Sequence, residues 1–168
     1  MTRGLNYDPV EGARQRWLEK GWTDSADGMA AVVSVMRAEQ IFLNEATEIL
    51  RPLGLTFARY QVLGMLRWND SMTLGVLGSH LWITAATVTN AIDRLEAAGL
   101  CRRVSHPDDA RATLAEITAK GRKLFDRAVE ELNVKLFASV GLSQDELTDL
   151  VRLVRKIRAA AGDTVADG

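Results

Sequence analysis

Between Leu81 and Leu100 the chain reads LWITAATVTNAIDRLEAAGL, and its chemistry is concentrated at the front. Thr84 is placed to cap a helix whose first turns offer Ala85, Ala86, Thr87, Thr89 and Asn90. An asparagine amide carries one donor and one acceptor that match the major-groove edge of adenine, and a threonine methyl suits a thymine methyl. The alanines add no bulk, so the backbone can come close to such edges. Behind them Val88, Ile92 and Leu95 recur at helical spacing and anchor the helix in a core. Thr and Asn at these spacings are also ordinary surface residues. The elements around them decide between the two.

Gly99 closes the helix and the pattern changes at once. Leu100 to Ser105 is β-like, residues 106–110 (HPDDA) have turn composition, and residues 111–117 (RATLAEI) return as a second strand. Upstream, Thr73 caps a short helix, LGVLGSHL, and Thr56 caps FARYQVLGMLRW, which ends before Asn69-Asp70-Ser71. A helix-turn-helix followed directly by a two-stranded hairpin is a winged helix. On its N-terminal side, a helix from about Ala26 to Leu50 carries Met29, Val32, Val33, Met36, Leu43, Ala46 and Leu50 at helical period, stopped by Pro52 and Gly54. A shorter amphipathic piece over 9–20 holds Trp17 and Leu18, with TDSADG as a linker behind Gly21. On the C-terminal side, Thr118 caps a helix over about 119–138. Ser143-Gln-Asp-Glu146 forms a capping box for a last helix to about Ala160.

The fold class expected is mainly α with a small two-stranded β-wing. The winged helix-turn-helix spans 55–118, helical regions at 26–54 and 119–162 flank it, residues 1–25 form an N-terminal extension, and 163–168 form a frayed tail. The outer helices carry more apolar residues than one small lobe would bury, which points to a second copy of the chain.

At a net charge of −1 over 168 residues, this is not a polybasic, histone-like binder. The charge is uneven, however. From Arg94 to Lys123 seven basic residues (Arg94, Arg102, Arg103, Arg111, Lys120, Arg122, Lys123) face four acidic ones (Glu96, Asp108, Asp109, Glu116). No apolar run approaches the ~20 residues that span a bilayer, so no membrane partner is expected. The first residues hold no apolar core of a secretion signal. The single cysteine, Cys101, excludes an intramolecular disulfide, and a cytoplasmic location is the default.

Three stretches together resemble the MarR family of winged helix-turn-helix regulators: LTFARYQVL at 55–63, TLGVLGSHLWITAATVTNAIDRLEAAGL at 73–100, and Asp109-Ala-Arg111 followed by Glu116-Ile-Thr118-Ala-Lys-Gly121. The resemblance implies a homodimer on double-stranded DNA, with half-sites about one helical turn (~34 Å) apart. It implies a ligand-responsive repressor, released from a palindromic operator by a small aromatic acid or an acyl thioester. The implied DNA-binding residues are Thr73, Thr84, Ala86, Thr87, Thr89, Asn90, Arg94, Arg103, Asp109 and Arg111. Arg111 would reach the minor groove or its phosphates and Asp109 would orient it. Alternatively, Asp93 pairs with a wing arginine and fixes the wing to the helix. Ala110 stands where the family often has a second basic residue. Arg102 and Arg103 alternate along a strand, so at most one faces phosphate.

The effector cleft would draw on Trp17, Trp22, Met36, Arg59, Tyr60 and Trp68, with Arg59 meeting a carboxylate or phosphate. Trp82, in the turn where small or polar residues are usual, is expected to pack on its own wing or line that cleft. Cys101 is expected to be inert rather than a redox sensor. His80 and His106 lack partners at metal-ligand spacing, and no phosphate loop or catalytic motif appears, so neither a metal, a cofactor nor an enzyme is expected. The competing function is a winged-helix protein-interaction module without DNA binding, favoured slightly by the acidic balance and by Ala110.

Overall fold

The computed structural model describes residues 7–106 and 112–163. Asp8 opens helix α1 (Pro9–Glu19) by accepting from the Val10 amide at 2.8 Å, with Pro9 in the first turn where its missing N–H costs nothing. Helix α2 (Thr23–Leu50) follows almost at once. The expected linker TDSADG is therefore helical: Arg14 of α1 meets Asp27 at 2.6 Å, and Ala26 is fully buried where the two helices pack.

The reading head comes next. It contains α3 (Phe57–Asn69), β1 (Ser71–Thr73), α4 (Leu74–Leu81), α5 (Ala85–Ala97), β2 (Cys101–Ser105) and β3 (Thr113–Ile117). Helix α6 (Ala119–Lys135), a 3-10 turn at Phe137–Ser139 and α7 (Gln144–Ala160) complete the chain. Four threonines do what their positions predict. The side chains of Thr56, Thr73, Thr84 and Thr118 accept from the amides of Arg59, Val76, Thr87 and Gly121. The capping box at Ser143 and Glu146 is also formed.

The expected two-stranded wing is formed by β2 against β3, and one strand is added to it: β1 makes the sheet three-stranded and antiparallel, in the order β1-β3-β2. Ser71–Thr73, read as loop and cap, pairs with Glu116–Leu114 and covers the outer edge of β3. Three residues are too few to show an alternating pattern; the partner strand makes them a strand. The long helix also stops at Lys135, short of its expected end, where Leu136 leaves helical geometry.

A single core runs through the head. It joins Ala46 and Leu50 of α2, Val62, Leu63 and Leu66 of α3, Leu77 of α4, Val88, Ile92 and Leu95 of α5, Ala115 and Ile117 of β3, and Phe125, Ala128 and Leu132 of α6. Recognition-helix residues are therefore anchored in the same apolar cluster as α2 and α6. No helix among the described residues is long and apolar enough to cross a membrane.

The tightest joint lies between the end of α5 and the start of α6. Gly99 takes φ +70°, which ends α5 with a left-handed residue, and Leu100 donates back to the Leu95 carbonyl at 2.8 Å. The carbonyls freed there are taken by α6: Lys120 Nζ donates to Ala98 at 2.7 Å, Thr118 Oγ1 to Gly99 at 2.8 Å, and the Thr118 amide to Leu100 at 3.1 Å. This brings Gly121 so close that a Cβ there would stand 2.0 Å from the Leu100 oxygen. Since the clash is with backbone, it cannot be relieved by a rotamer change. Gly121→Ala is expected to cost at least about 2 kcal/mol, a fall of roughly 5 °C or more in the melting midpoint by circular dichroism.

Candidate nucleic-acid interface

Helix α5 divides its residues cleanly. Val88, Ala91, Ile92 and Leu95 are buried, while Thr84, Ala85, Ala86, Thr87, Thr89, Asn90 and Arg94 are exposed. Thr84 caps the helix and its hydroxyl also lies 2.9 Å from that of Thr87, so the first turn presents an ordered hydroxyl pair. Thr73 is half-buried and occupied as the cap of α4, with its hydroxyl accepting from Val76 at 3.3 Å. A cleft of about 650 Å³ separates the front of α3 from α5; Thr56, Arg59, Ala86, Thr87, Asn90 and Arg94 line it. Four DNA-binding sites expected from the sequence, Ala86, Thr87, Asn90 and Arg94, thus share one cleft, and Arg59 joins them there.

The wing strand β2 is tied to α5 by a second arginine. Arg103 sends Nη1 to Glu96 at 2.5 Å and Nη2 to Asp93 at 2.6 Å, and its amide donates to Glu96 at 2.7 Å. Arg103 was expected on phosphate; its guanidinium is instead committed to two carboxylates. The alternative expected for Asp93, a clamp on a wing arginine, is realised through Arg103. Glu96 was missed, although Asp93 and Glu96 at i, i+3 share one helix face and could have signalled it. Arg102, on the opposite face as strand alternation requires, pairs with its cross-strand partner Glu116 at 2.8 Å. Asp109, Ala110 and Arg111 lie outside the described residues.

The residues expected to hold an effector do not converge. Trp17 and Trp22 pack edge to face at 5.2 Å in the N-terminal extension. Met36 is exposed on α2. Tyr60 is stacked between Phe57 and Phe125, and burial raises its phenol pKa. Trp68 is 73% exposed and touches Phe125 only by its edge. Arg59 opens toward α5.

Trp82 is also placed differently from either expectation. It ends α4 in a left-handed conformation (φ +50°, ψ +37°), stays 69% exposed, and stacks under the Arg158 guanidinium of α7 at 4.9 Å. The left-handed residue needed after Leu81 is here a tryptophan, at a steric cost of about 1–2 kcal/mol. Cys101 is 2% exposed, and burial pushes its thiol up to about 11, far from the thiolate a redox sensor needs. His80 ring nitrogen lies 2.9 Å from the Val76 carbonyl, and His106 donates its amide to Ala112. No group of three potential metal ligands occurs among the described residues.

A helix with a small, polar, exposed front, anchored by an apolar back and flanked by a clamped wing, defines a winged helix-turn-helix regulator. The model of the MarR family matches residues 55–113. The regulator YwoH of Bacillus subtilis (strain 168) is 33% identical over 102 residues, covering 61% of this chain and 71% of that protein. The structure of Sco5413, a MarR family transcriptional regulator from Streptomyces coelicolor, is 35% identical with a TM-score of 0.76, covering 83% of this chain and 99% of that one. That of the repressor CouR, bound to a 23-mer DNA duplex, is 25% identical with a TM-score of 0.70, covering 74% and 89%. The chain belongs to the MarR family: it is a DNA-binding transcriptional regulator and not an enzyme.

The clamp carries a pH signature. The Arg103 amide, then its guanidinium, holds the Glu96 carboxyl below the usual carboxylate range. A depressed carboxyl pKa contributes stability above the ordinary carboxylate range, and that contribution is lost as pH falls through the folded-state value. Melting midpoints of the wild type should therefore exceed those of Glu96→Gln at pH 7 and converge with them below pH ~4. A constant difference across that range would show the clamp is not electrostatic.

Proposed function

We propose that this chain is a homodimeric repressor that reads a roughly palindromic operator through paired recognition helices and is released by a small effector. The observation that carries it is the exposed front of α5, Ala86, Thr87, Thr89 and Asn90, held rigidly over a buried stripe. Thr73, Thr84 and Arg94 join these as DNA contacts, with Asp109 and Arg111 on the wing tip. The CouR structure, a repressor on a DNA duplex, supports the mode of binding and its sign.

Dimerisation is supported by apolar surface with no cover in its own chain. Helix α7 buries none of its residues, and Leu150, Val151, Leu153 and Ile157 are exposed along it. Val32, Val35 and Met36 are exposed along α2. Monomers do not usually leave such contiguous stripes open.

For the effector we keep an aromatic acid or acyl thioester, and we place its apolar body in a cavity of about 460 Å³ between α2, the 3-10 turn and α7. Phe42, Leu43, Phe57, Leu136, Phe137 and Leu150 line it. None of the six residues expected from sequence lines that site; Tyr60 adjoins it through its stacking on Phe57.

The test is fluorescence anisotropy with the promoter duplex upstream of the chain's own gene and a scrambled duplex of equal length. Specific binding at least ~10³-fold tighter than to the scramble is expected. Asn90→Ala should weaken cognate binding by about 1–3 kcal/mol, roughly 5- to 150-fold, with little change on the scramble. Equal affinity for both duplexes, unaffected by Asn90→Ala combined with Arg111→Ala, would sink the proposal. Sedimentation should give twice the 18.5 kDa chain mass. Ile157→Glu, at an exposed apolar position of α7, should yield a folded monomer with operator binding abolished.

A further inference from the structure

We infer that Arg59, at the start of α3, is a DNA-phosphate contact that works as a pair with Arg94, on a face of the recognition helix away from the wing clamp. The inference rests on the proposed operator binding and adds to it a backbone contact outside the helix-turn-helix and the wing.

The ground for it is how the reading head spends its arginines. Between residues 55 and 106 these are Arg59, Arg67, Arg94, Arg102 and Arg103. Arg67 is neutralised by Asp126 at 3.0 Å, Arg102 by Glu116 at 2.8 Å, and Arg103 by Asp93 and Glu96. Arg59 and Arg94 have no carboxylate partner among the described residues. Both line the same 650 Å³ cleft, and no acidic residue lines it with them. Two guanidiniums left unmatched in one concavity, in a chain of net charge −1 that matches its other head arginines, form a local anion seat.

The geometry narrows what that anion is. Arg59 is half-buried, and its Nε donates to Thr56 Oγ1 at 3.2 Å, which leaves the two terminal nitrogens unengaged and limits the sweep of the side chain. The opposite wall is α5 itself, through Ala86, Thr87 and Asn90. A duplex seated on those residues must carry one of its sugar–phosphate strands past the mouth of the cleft, because phosphates border the groove on both sides. A guanidinium fork fits two oxygens of a phosphodiester in parallel. Backbone contacts of this kind fix the register of the helix in the groove without reading sequence. Arg59 therefore sets where the Thr87 and Asn90 side chains meet the bases.

The experiment measures the salt dependence of binding of the full chain to the cognate and scrambled duplexes, from about 50 to about 200 mM salt. Arg59→Gln is expected to lower the slope of log K against log salt by about 1.8, one counterion-releasing contact from each subunit of the proposed dimer. Its affinity should fall in parallel on both duplexes, so the specificity ratio is kept. Arg59→Lys should restore most of the slope, and Arg67→Gln, in a matched pair, should leave it unchanged. Circular dichroism melts confirm that each variant is folded. An unchanged slope in folded Arg59→Gln overturns the inference. So does intact DNA binding with lost release by an aromatic acid or acyl thioester, which would make Arg59 an effector residue. Wild-type binding without sequence preference would instead count against the repressor proposal. The slope, and with it the phosphate contact, would still be readable.

Discussion

The structure depends on one backbone approach, that of α6 to the carbonyl end of α5. A helix end leaves carbonyls without partners, and burying them unmet costs about 1–3 kcal/mol each. Here Thr118 and Lys120 meet the carbonyls of Ala98, Gly99 and Leu100, and the absence of a side chain at Gly121 lets the two backbone segments come within contact. The recognition helix is thereby joined directly to the helix that leads out of the head. A shift of α6 would carry α5 with it. Such a joint is what the proposed dimeric repressor would need for a change in its outer helices to reach the recognition helix.

The other side of α5 is held more lightly. Arg103, Asp93 and Glu96 fasten the wing through partly exposed ion pairs, each worth little alone. Their value lies in geometry: one guanidinium donates to two carboxylates, and the Glu96 carboxylate also accepts from the Arg103 amide, which fixes direction more than it adds stability. The wing strand is thus oriented by charge at its base, while β1 covers the far edge of β3. The Trp82–Arg158 stack adds a contact of another kind, between the turn of the helix-turn-helix and the last helix. It bridges regions that the core does not join.

Local patterns in the sequence announced much of this. Each of the four threonine caps was visible because a hydroxyl one position ahead of an amphipathic run has one local task. The split of α5 into exposed Thr, Ala and Asn and buried Val, Ile and Leu followed from a period of 3.6. The family was legible from the joint spacing of motifs. What failed were expectations that needed partners distant in sequence. Ser71–Thr73 is a strand only because β3 offers an edge. The six residues named for an effector fall into separate places, Trp17 with Trp22, Tyr60 and Trp68 on Phe125, and Arg59 toward α5, because aromatic side chains serve cores and rings such as Phe57–Tyr60–Phe125 just as well.

The sequence by itself determined the helical periods, the caps, the order of helix-turn-helix and wing, and the small polar front of α5, because these depend on residues within a few positions of one another. Only the tertiary structure decided which arginine meets which carboxylate, why position 121 is glycine, and that Arg59 and Arg94 stand together unmatched beside the recognition helix. Those are facts of charge and volume between segments 7 to 59 residues apart, and beyond the Asp93–Glu96 spacing on α5 local patterns do not record them.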